Sequence, residues 1–308
     1  TLDSGAVSIV DHLRDRDSSA AVRCAALDAL IALVAAAPRF IPKLALVGAL
    51  PAVSRLASPG NGPAVRVQAA RFISRLVAQD HDESDSDVIA RGRVPAHVPL
   101  QMFLACDGFS TLVSLLEDDL SVVANTYITH TAIACLYAVF ELPIAAFKGD
   151  VCRVFARHGL PLRLSASLRA VHSDWQRALN PRTPVECDGD AVDGGSALFD
   201  TRSGRAELAA LGVTAACDDV GTQQGELAEV QRKAVAVLAR LAQAGKSVKL
   251  AMATPQVLGN IISVLHSLPL HEQAEVVKAF KFLVIPQAVP SLKDAGVMPA
   301  LVACLCSA

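Results

Sequence analysis

The sequence predicts an all-α protein built from about five stacked helical repeats. Apolar residues make up 52% of the chain and aromatic residues only 4%. Such an aliphatic core suits closely packed helices, because small and unbranched side chains lose little freedom in a helix. Apolar side chains also recur at helical spacing, and a short glycine-containing mark recurs along the chain.

The recurring mark is a glycine, a short turn and then an amphipathic helix. Its copies occupy residues 48–56, 108–116, 159–164 and 296–305. We expect each glycine to take the left-handed conformation that ends one helix before the next begins. Successive marks at Gly48, Gly108 and Gly159 lie 60 and 51 residues apart. Armadillo and HEAT units run to about 40–47 residues. The marks lie somewhat further apart than this, so we predict an armadillo/HEAT-like α-solenoid in which insertions lengthen these units.

Further helices are predicted between the marked ones. Their apolar faces place them at residues 20–36, 64–78, 122–141, 227–244 and 272–283. In the third of these, Leu136 and Phe140 continue a stripe with a spacing of four residues. No segment shows the alternation of apolar and polar residues that is typical of a strand. The pattern leaves one alternative open, a non-repetitive helical bundle.

Two stretches interrupt the repeats. Residues 80–98 begin with a cluster of acidic residues and predict a solvated loop. Residues 181–225 are rich in glycine and acidic residues and predict a flexible linker. We therefore expect an N-terminal set of repeats at 1–180 and a C-terminal set at 226–308.

Composition and motifs argue against catalysis. The net charge of −2 gives no global attraction to nucleic acid, and the apolar runs are too short to insert into a membrane. The eight cysteines are interpreted as free thiols of a cytoplasmic protein, since their spacing supplies no zinc site. Phosphate-binding, kinase and hydrolase motifs are absent, so we predict no enzyme, cofactor or metal. We expect the chain, which begins at Thr1, to be a piece of a longer polypeptide.

Three segments in the centre of the chain carry a family resemblance. The first matches at Phe103, Leu104, Ala105, Cys106, Gly108, Leu112 and Val113; the second at His130, Ala132, Ile133, Tyr137, Val139 and Phe140; the third at Cys152, Arg153, Gly159, Leu162, Arg163 and Leu164. In this order they resemble the non-catalytic armadillo region of the fungal septation-initiation protein kinases, which the plant MAP kinase kinase kinase epsilon group shares. The resemblance covers about 75 of the 308 residues. Departures occur at Asp107, at Ala134 and Cys135, and at Val151.

The resemblance implies a function in cytokinesis signalling. It implies a kinase domain elsewhere in the polypeptide, and docking of a small Ras-like GTPase in its GTP form that localises the kinase to the spindle pole body. An armadillo scaffold of an unrelated pathway is the second hypothesis, and an enzyme of unknown type the third.

Helical solenoids present a rigid surface to protein partners, and we expect it here on the third helix of each unit. Polar residues that interrupt the apolar stripes are the candidate contacts: Arg55, Ser114, Arg163, Ser167, Lys278 and Lys281.

Overall fold

The computed structural model describes residues 2–77, 97–117, 122–142, 148–179 and 220–307. These segments are helical, with short turns between helices, and contain no strand. They fall into two compact units, whose described residues lie within 2–142 and within 148–307. Most of the predicted acidic loop (80–98) and of the predicted linker (181–225) lies outside the described residues.

Unit 1 contains eight described helices. They are α1 (Leu2–Arg14), α2 (Ala20–Ala36), α3 (Ile41–Leu46), α4 (Ala49–Ala57), α5 (Pro63–Val77), α6 (His97–Phe103), α7 (Phe109–Ser114) and α8 (Val122–Glu141). The triplets α3–α5 and α6–α8 each consist of a short first helix, a second helix and a longer third helix. Third helices pack side by side in the order α2, α5, α8, and second helices in the order α1, α4, α7. Unit 1 is therefore a stack of helical repeats of the armadillo type.

Unit 2 repeats the same layout. Its described helices are α9 (Lys148–Arg157), α10 (Leu160–Leu179), α11 (Val220–Ala242), α12 (Lys246–Met252), α13 (Pro255–Leu265), α14 (Leu270–Leu283), α15 (Val289–Asp294) and α16 (Val297–Ser307). The third helices α11 and α14 are in contact, and the second helices α10, α13 and α16 form a continuous row. The prediction of an all-α fold of stacked repeats is confirmed.

Helix boundaries follow the predicted apolar periods closely, with one exception. The helices predicted at 20–36 and 122–141 are observed at those bounds, as α2 and α8. Helix α11, however, begins at Val220 rather than at 227, so the last six residues of the predicted flexible linker are helical. Gln223 and Gln224 are good helix formers, and they extend the helix through a segment whose glycine content suggested a linker.

The glycine marks behave as predicted at three of four positions. Gly48, Gly159 and Gly296 have φ angles of 81°, 82° and 73°, in the left-handed region. At the remaining mark the left-handed residue is Asp107, with φ 67°, whereas Gly108 has a helical φ of −60°. A π-type turn over residues 104–108 adds a residue there and shifts the left-handed position by one.

Asp107 tolerates that conformation because its polar groups bond locally. Its carboxylate accepts a hydrogen bond from Ser110 Oγ at 2.8 Å, and its carbonyl oxygen accepts one from Thr111 Oγ1 at 3.1 Å. Gly108 is required for a different reason: a Cβ atom there would lie 2.7 Å from the ring and from the carbonyl oxygen of Phe103. The glycine therefore permits close packing rather than an unusual φ angle.

The core of unit 1 contains one fully buried charged side chain. Arg66 on α5 is 0% exposed. Its Nε donates to the carbonyl oxygen of Ala57 at 3.2 Å, and its Nη2 donates to that of Ser114 at 3.5 Å. The arginine thus satisfies carbonyl groups at the C-terminal ends of α4 and α7, which helices leave without intrahelical partners.

Candidate protein-binding surface

Four of the six predicted contact residues lie on second helices rather than on third helices. Arg55 is on α4, Ser114 ends α7, and Arg163 and Ser167 are on α10. This corrects the prediction, which placed the four on third helices. The reason is that a short first helix, such as α3 or α6, precedes the glycine mark, so the marked helix is the second of its triplet.

Burial removes one of these four from the surface, and a second is partly covered. Ser167 is only 7% exposed, so its hydroxyl is not available to a partner, contrary to the surface prediction. Ser114 is half-buried, and its Oγ donates to the carbonyl oxygen of Thr111 at 2.8 Å. Arg55 is exposed and Arg163 is half-buried, so these two remain accessible to a partner on the second helices.

Lys278 and Lys281 are exposed on α14, the helix two before the last marked helix and a third helix of its triplet. Lys278 Nζ lies 2.7 Å from Glu275 Oε1. The neighbouring third helix, α11, also carries charged groups: Glu229 accepts two hydrogen bonds from Arg232 and lies 3.3 Å from the ammonium group of Lys233. Hydrogen bonds from Arg232 lower the pKa of Glu229 to about 2, so this carboxylate stays ionised at neutral pH.

A polar row also runs along the third helices of unit 1. Arg71 on α5 donates to Gln68 Oε1 at 2.8 Å and lies 3.4 Å from Asp28 Oδ1 on α2. Burial raises the pKa of Tyr127 on α8, and the charge of Arg71 acts in the opposite direction. The side chain of Asp28 is 52% exposed and that of Arg71 28%. The predicted contact residues do not include this row, in which Gln68 and Arg71 lie three residues apart on α5.

The second feature that the sequence did not reveal is a buried polar network in unit 2. His172 Nδ1 lies 2.8 Å from Gln231 Oε1, and Gln231 Nε2 donates to Glu272 Oε2 at 2.7 Å. His172 Nε2 lies 2.7 Å from Ser267 Oγ. The histidine, glutamine and glutamate are 5%, 0% and 6% exposed. The network joins α10, α11 and α14, and only Ser267 at its edge is exposed among these four residues. Its buried bonds therefore contribute mainly to the stability of the stack.

The described residues contain no cluster of three or more His, Cys, Asp or Glu side chains capable of holding a metal ion. Six cysteines in these segments carry free thiols. In the same segments no single helix is long and apolar enough to span a membrane, although two sharply bent helix pairs meet that criterion by length and composition.

Comparison with known proteins places the similarity in large protein kinases. No protein-family model matches the chain. MAP3K epsilon protein kinase 1 of Brassica napus is 30% identical over 153 residues, which is 49% of this chain and 10% of that protein. Cytokinesis protein sepH of Aspergillus terreus is 27% identical over 137 residues, or 44% of this chain and 9% of that protein. The chain thus spans about a tenth of the length of the curated relatives it matches, and its resemblance to this family is confirmed over about half of its own length.

Among solved structures, a designed armadillo repeat protein has a TM-score of 0.48 and 16% sequence identity to this chain. The alignment covers 96% of this chain and 90% of that one. The assignment of the fold rests on the helix triplets described above.

Proposed function

We propose that this chain is a non-catalytic protein-binding module of a septation-initiation-type protein kinase, and that it docks a GTP-loaded small Ras-like GTPase. In this proposal the docking localises the kinase to the spindle pole body for cytokinesis signalling. The observation that carries the proposal is the match of about half the chain to short parts of MAP3K epsilon protein kinase 1 and of cytokinesis protein sepH. All-helical repeat stacks act mainly as rigid surfaces for protein partners, which agrees with a docking role.

The third helices are the favoured contact surface. They carry the exposed Lys278 and Lys281 in unit 2, and in unit 1 the polar row that includes Arg71. Ras-like GTPases order their switch loops around the γ-phosphate, so a partner that reads those loops gains affinity in the GTP form. Lysine and arginine side chains on a rigid helix face complement acidic groups on such loops.

The experiment is a binding titration of the 308-residue chain against a panel of small Ras-like GTPases, each loaded with GDP or with a non-hydrolysable GTP analogue. We expect one GTPase to bind at least about tenfold more tightly in its GTP form, which corresponds to about 1.4 kcal/mol. Equal affinity for the two nucleotide states would refute the docking mechanism. Binding to a non-GTPase protein alone would support the second hypothesis, an armadillo scaffold of another pathway.

Two matched double variants locate the surface. Lys278→Glu with Lys281→Glu reverses two charges on a third helix, and we expect it to weaken binding about tenfold or more. Arg55→Glu with Arg163→Glu makes the same change in net charge on second helices. The same titration tests the sequence-based prediction that Arg55 and Arg163 contact the partner. If only the Arg55→Glu, Arg163→Glu variant loses affinity, the binding surface lies on the second helices.

A further inference from the structure

The exposed end of the polar network in unit 2 is Ser267, which lies in the turn between α13 and α14. Its Oγ lies 2.7 Å from Nε2 of the buried His172. Gln273 on α14 holds this turn in place, because its Nε2 donates to the carbonyl oxygens of Leu268 and His266 at 2.8 and 3.3 Å. A hydroxyl group that is open to solvent and fixed against an imidazole has the arrangement of an activated nucleophile.

The opposite ring nitrogen of His172 determines how the imidazole acts on this hydroxyl group. Gln231 presents its Oε1 to His172 Nδ1 at 2.8 Å and its Nε2 to Glu272 Oε2 at 2.7 Å. An ionised carboxylate only accepts hydrogen bonds, so Glu272 orients the amide with its NH₂ group toward the carboxylate and its oxygen toward the histidine. The amide oxygen also only accepts, so Nδ1 carries the proton of the neutral ring. Nε2 is then the acceptor that faces the hydroxyl of Ser267.

Ser263, which lies one helical turn earlier on α13, is a natural comparison for Ser267. Both serines are exposed, and each hydroxyl lies close to the carbonyl oxygen three residues before it, at 2.8 Å for Ser263 and 3.0 Å for Ser267. Ser267 additionally has the imidazole nitrogen of His172 at the shorter distance of 2.7 Å. The two serines thus have similar exposure and similar backbone contacts, and the histidine is the difference that changes the chemistry of Ser267.

We propose that Ser267 is an activated nucleophile and a site of O-acylation by small activated esters. The Oγ atom attacks the acyl carbon while its proton moves to Nε2 of His172. The bond between the acyl carbon and the leaving-group oxygen then breaks, and the proton passes from His172 to that oxygen. The products are an ester on Ser267 and the free alcohol. This stoichiometric modification is a property of unit 2 that does not depend on the proposed docking of a GTPase.

The first test compares the two serines within one molecule. The 308-residue chain is incubated with p-nitrophenyl acetate, and acetylation of each serine is followed over time by peptide mass spectrometry. We expect Ser267 to be acetylated at least about 100-fold faster than Ser263, because a positioned general base contributes about that factor or more. Equal rates at the two serines would overturn the proposal.

The second test removes the charge that orients the network. Glu272→Gln keeps the shape of the side chain but no longer holds the amide of Gln231 in one orientation, so we expect acetylation of Ser267 to slow at least about tenfold. Glu275→Gln is the matched control on the same helix: the side chain of Glu275 is 30% exposed, and this variant should react like the wild type. Circular dichroism checks that both variants fold. An unchanged rate in folded Glu272→Gln would refute the role of the network in activating Ser267.

The third test measures the tautomer of His172 in the wild-type chain, so it does not depend on the folding of a variant that alters the network. NMR chemical shifts of the imidazole nitrogens distinguish a protonated ring nitrogen from an acceptor nitrogen. The signals of His172 are identified by their loss in His172→Gln. We expect the proton on Nδ1 and an acceptor at Nε2. A neutral ring with its proton on Nε2 would overturn the proposal, because that nitrogen could not take the proton of Ser267.

Discussion

Replacing Gln231 by leucine should destabilise unit 2 strongly, although glutamine is uncharged, because the substitution removes two buried hydrogen bonds. Gln231 is fully buried on α11 and bridges two other helices with its two amide atoms. Its Oε1 accepts from His172 Nδ1 at 2.8 Å, and its Nε2 donates to Glu272 Oε2 at 2.7 Å. Leucine fills similar space but leaves both partners without this bond.

The expected loss of unfolding free energy follows from the two buried polar groups that Gln231→Leu leaves without a hydrogen-bond partner. Each buried polar group that loses its partner costs about 1–3 kcal/mol, so two such groups cost about 2–6 kcal/mol. The additional apolar surface that leucine buries offsets roughly 1 kcal/mol of this. We therefore expect Gln231→Leu to lower the free energy of unfolding by about 1–5 kcal/mol.

The assay is urea denaturation followed by tryptophan fluorescence. Trp175 is the only tryptophan of the chain, and it lies on α10 with its ring centroid 5.6 Å from that of His172. Its signal therefore reports the unfolding of the unit that contains the network. Gln256→Leu is the matched control: Gln256 is exposed on α13, and the same substitution there should change stability by less than about 0.5 kcal/mol. An equally small change for Gln231→Leu would show that the network does not stabilise the stack.

Three further predictions concern stability. Leu136→Ala and Phe140→Ala should each lower the free energy of unfolding, measured by calorimetry, by about 2–5 kcal/mol, because both side chains are buried on α8. Losses below about 0.5 kcal/mol would contradict this. Gly108→Ala should lower the free energy of unfolding by about 1–3 kcal/mol, because the new Cβ forces the ring of Phe103 aside. At Gly259 a Cβ meets no atom within 4 Å, so Gly259→Ala should raise the free energy of unfolding by up to about 1 kcal/mol. Burial raises the pKa of Glu272, so the folded state holds its proton more tightly than the unfolded state does. The stability of the wild type relative to Glu272→Gln, measured by urea titration, should therefore fall as the pH rises above about 4.5, and an unchanged difference up to pH 8 would contradict this.

The sequence predicts the long helices well because each contains several periods of its apolar stripe. Helix α8 has the predicted bounds, since its apolar spacing of four persists through 20 residues. The short first helices α3 and α6, of six and seven residues, contain fewer than two such periods. They cannot be distinguished from turns by periodicity, and for this reason the sequence pattern predicts the marked helices as third helices rather than second helices.

The buried polar network of unit 2 is harder to predict because its members are distant in sequence. His172 and Gln231 are 59 residues apart, and His172 and Ser267 are 95 residues apart. Each looks like an isolated polar residue until the stack brings α10, α11 and α14 together. The shift at Asp107 has a similar cause, since a single extra residue in a turn leaves no trace in the apolar pattern on either side.

The two rows of helices contribute differently to the stack. Apolar contacts between second helices are non-directional, so they favour association of neighbouring repeats without strongly fixing the register, although Asn260 Nδ2 on α13 also donates a hydrogen bond to Ser165 Oγ on α10. Polar bonds between third helices, such as Arg71 to Asp28 and Gln231 to Glu272, form only in one register, because a hydrogen bond weakens steeply when its donor and acceptor move apart. We infer that the third helices set the alignment of the repeats, and that their remaining exposed charges are held at fixed positions. A protein partner that recognises a pattern of charges requires such fixed positions, which is a physical reason to expect it on the third helices.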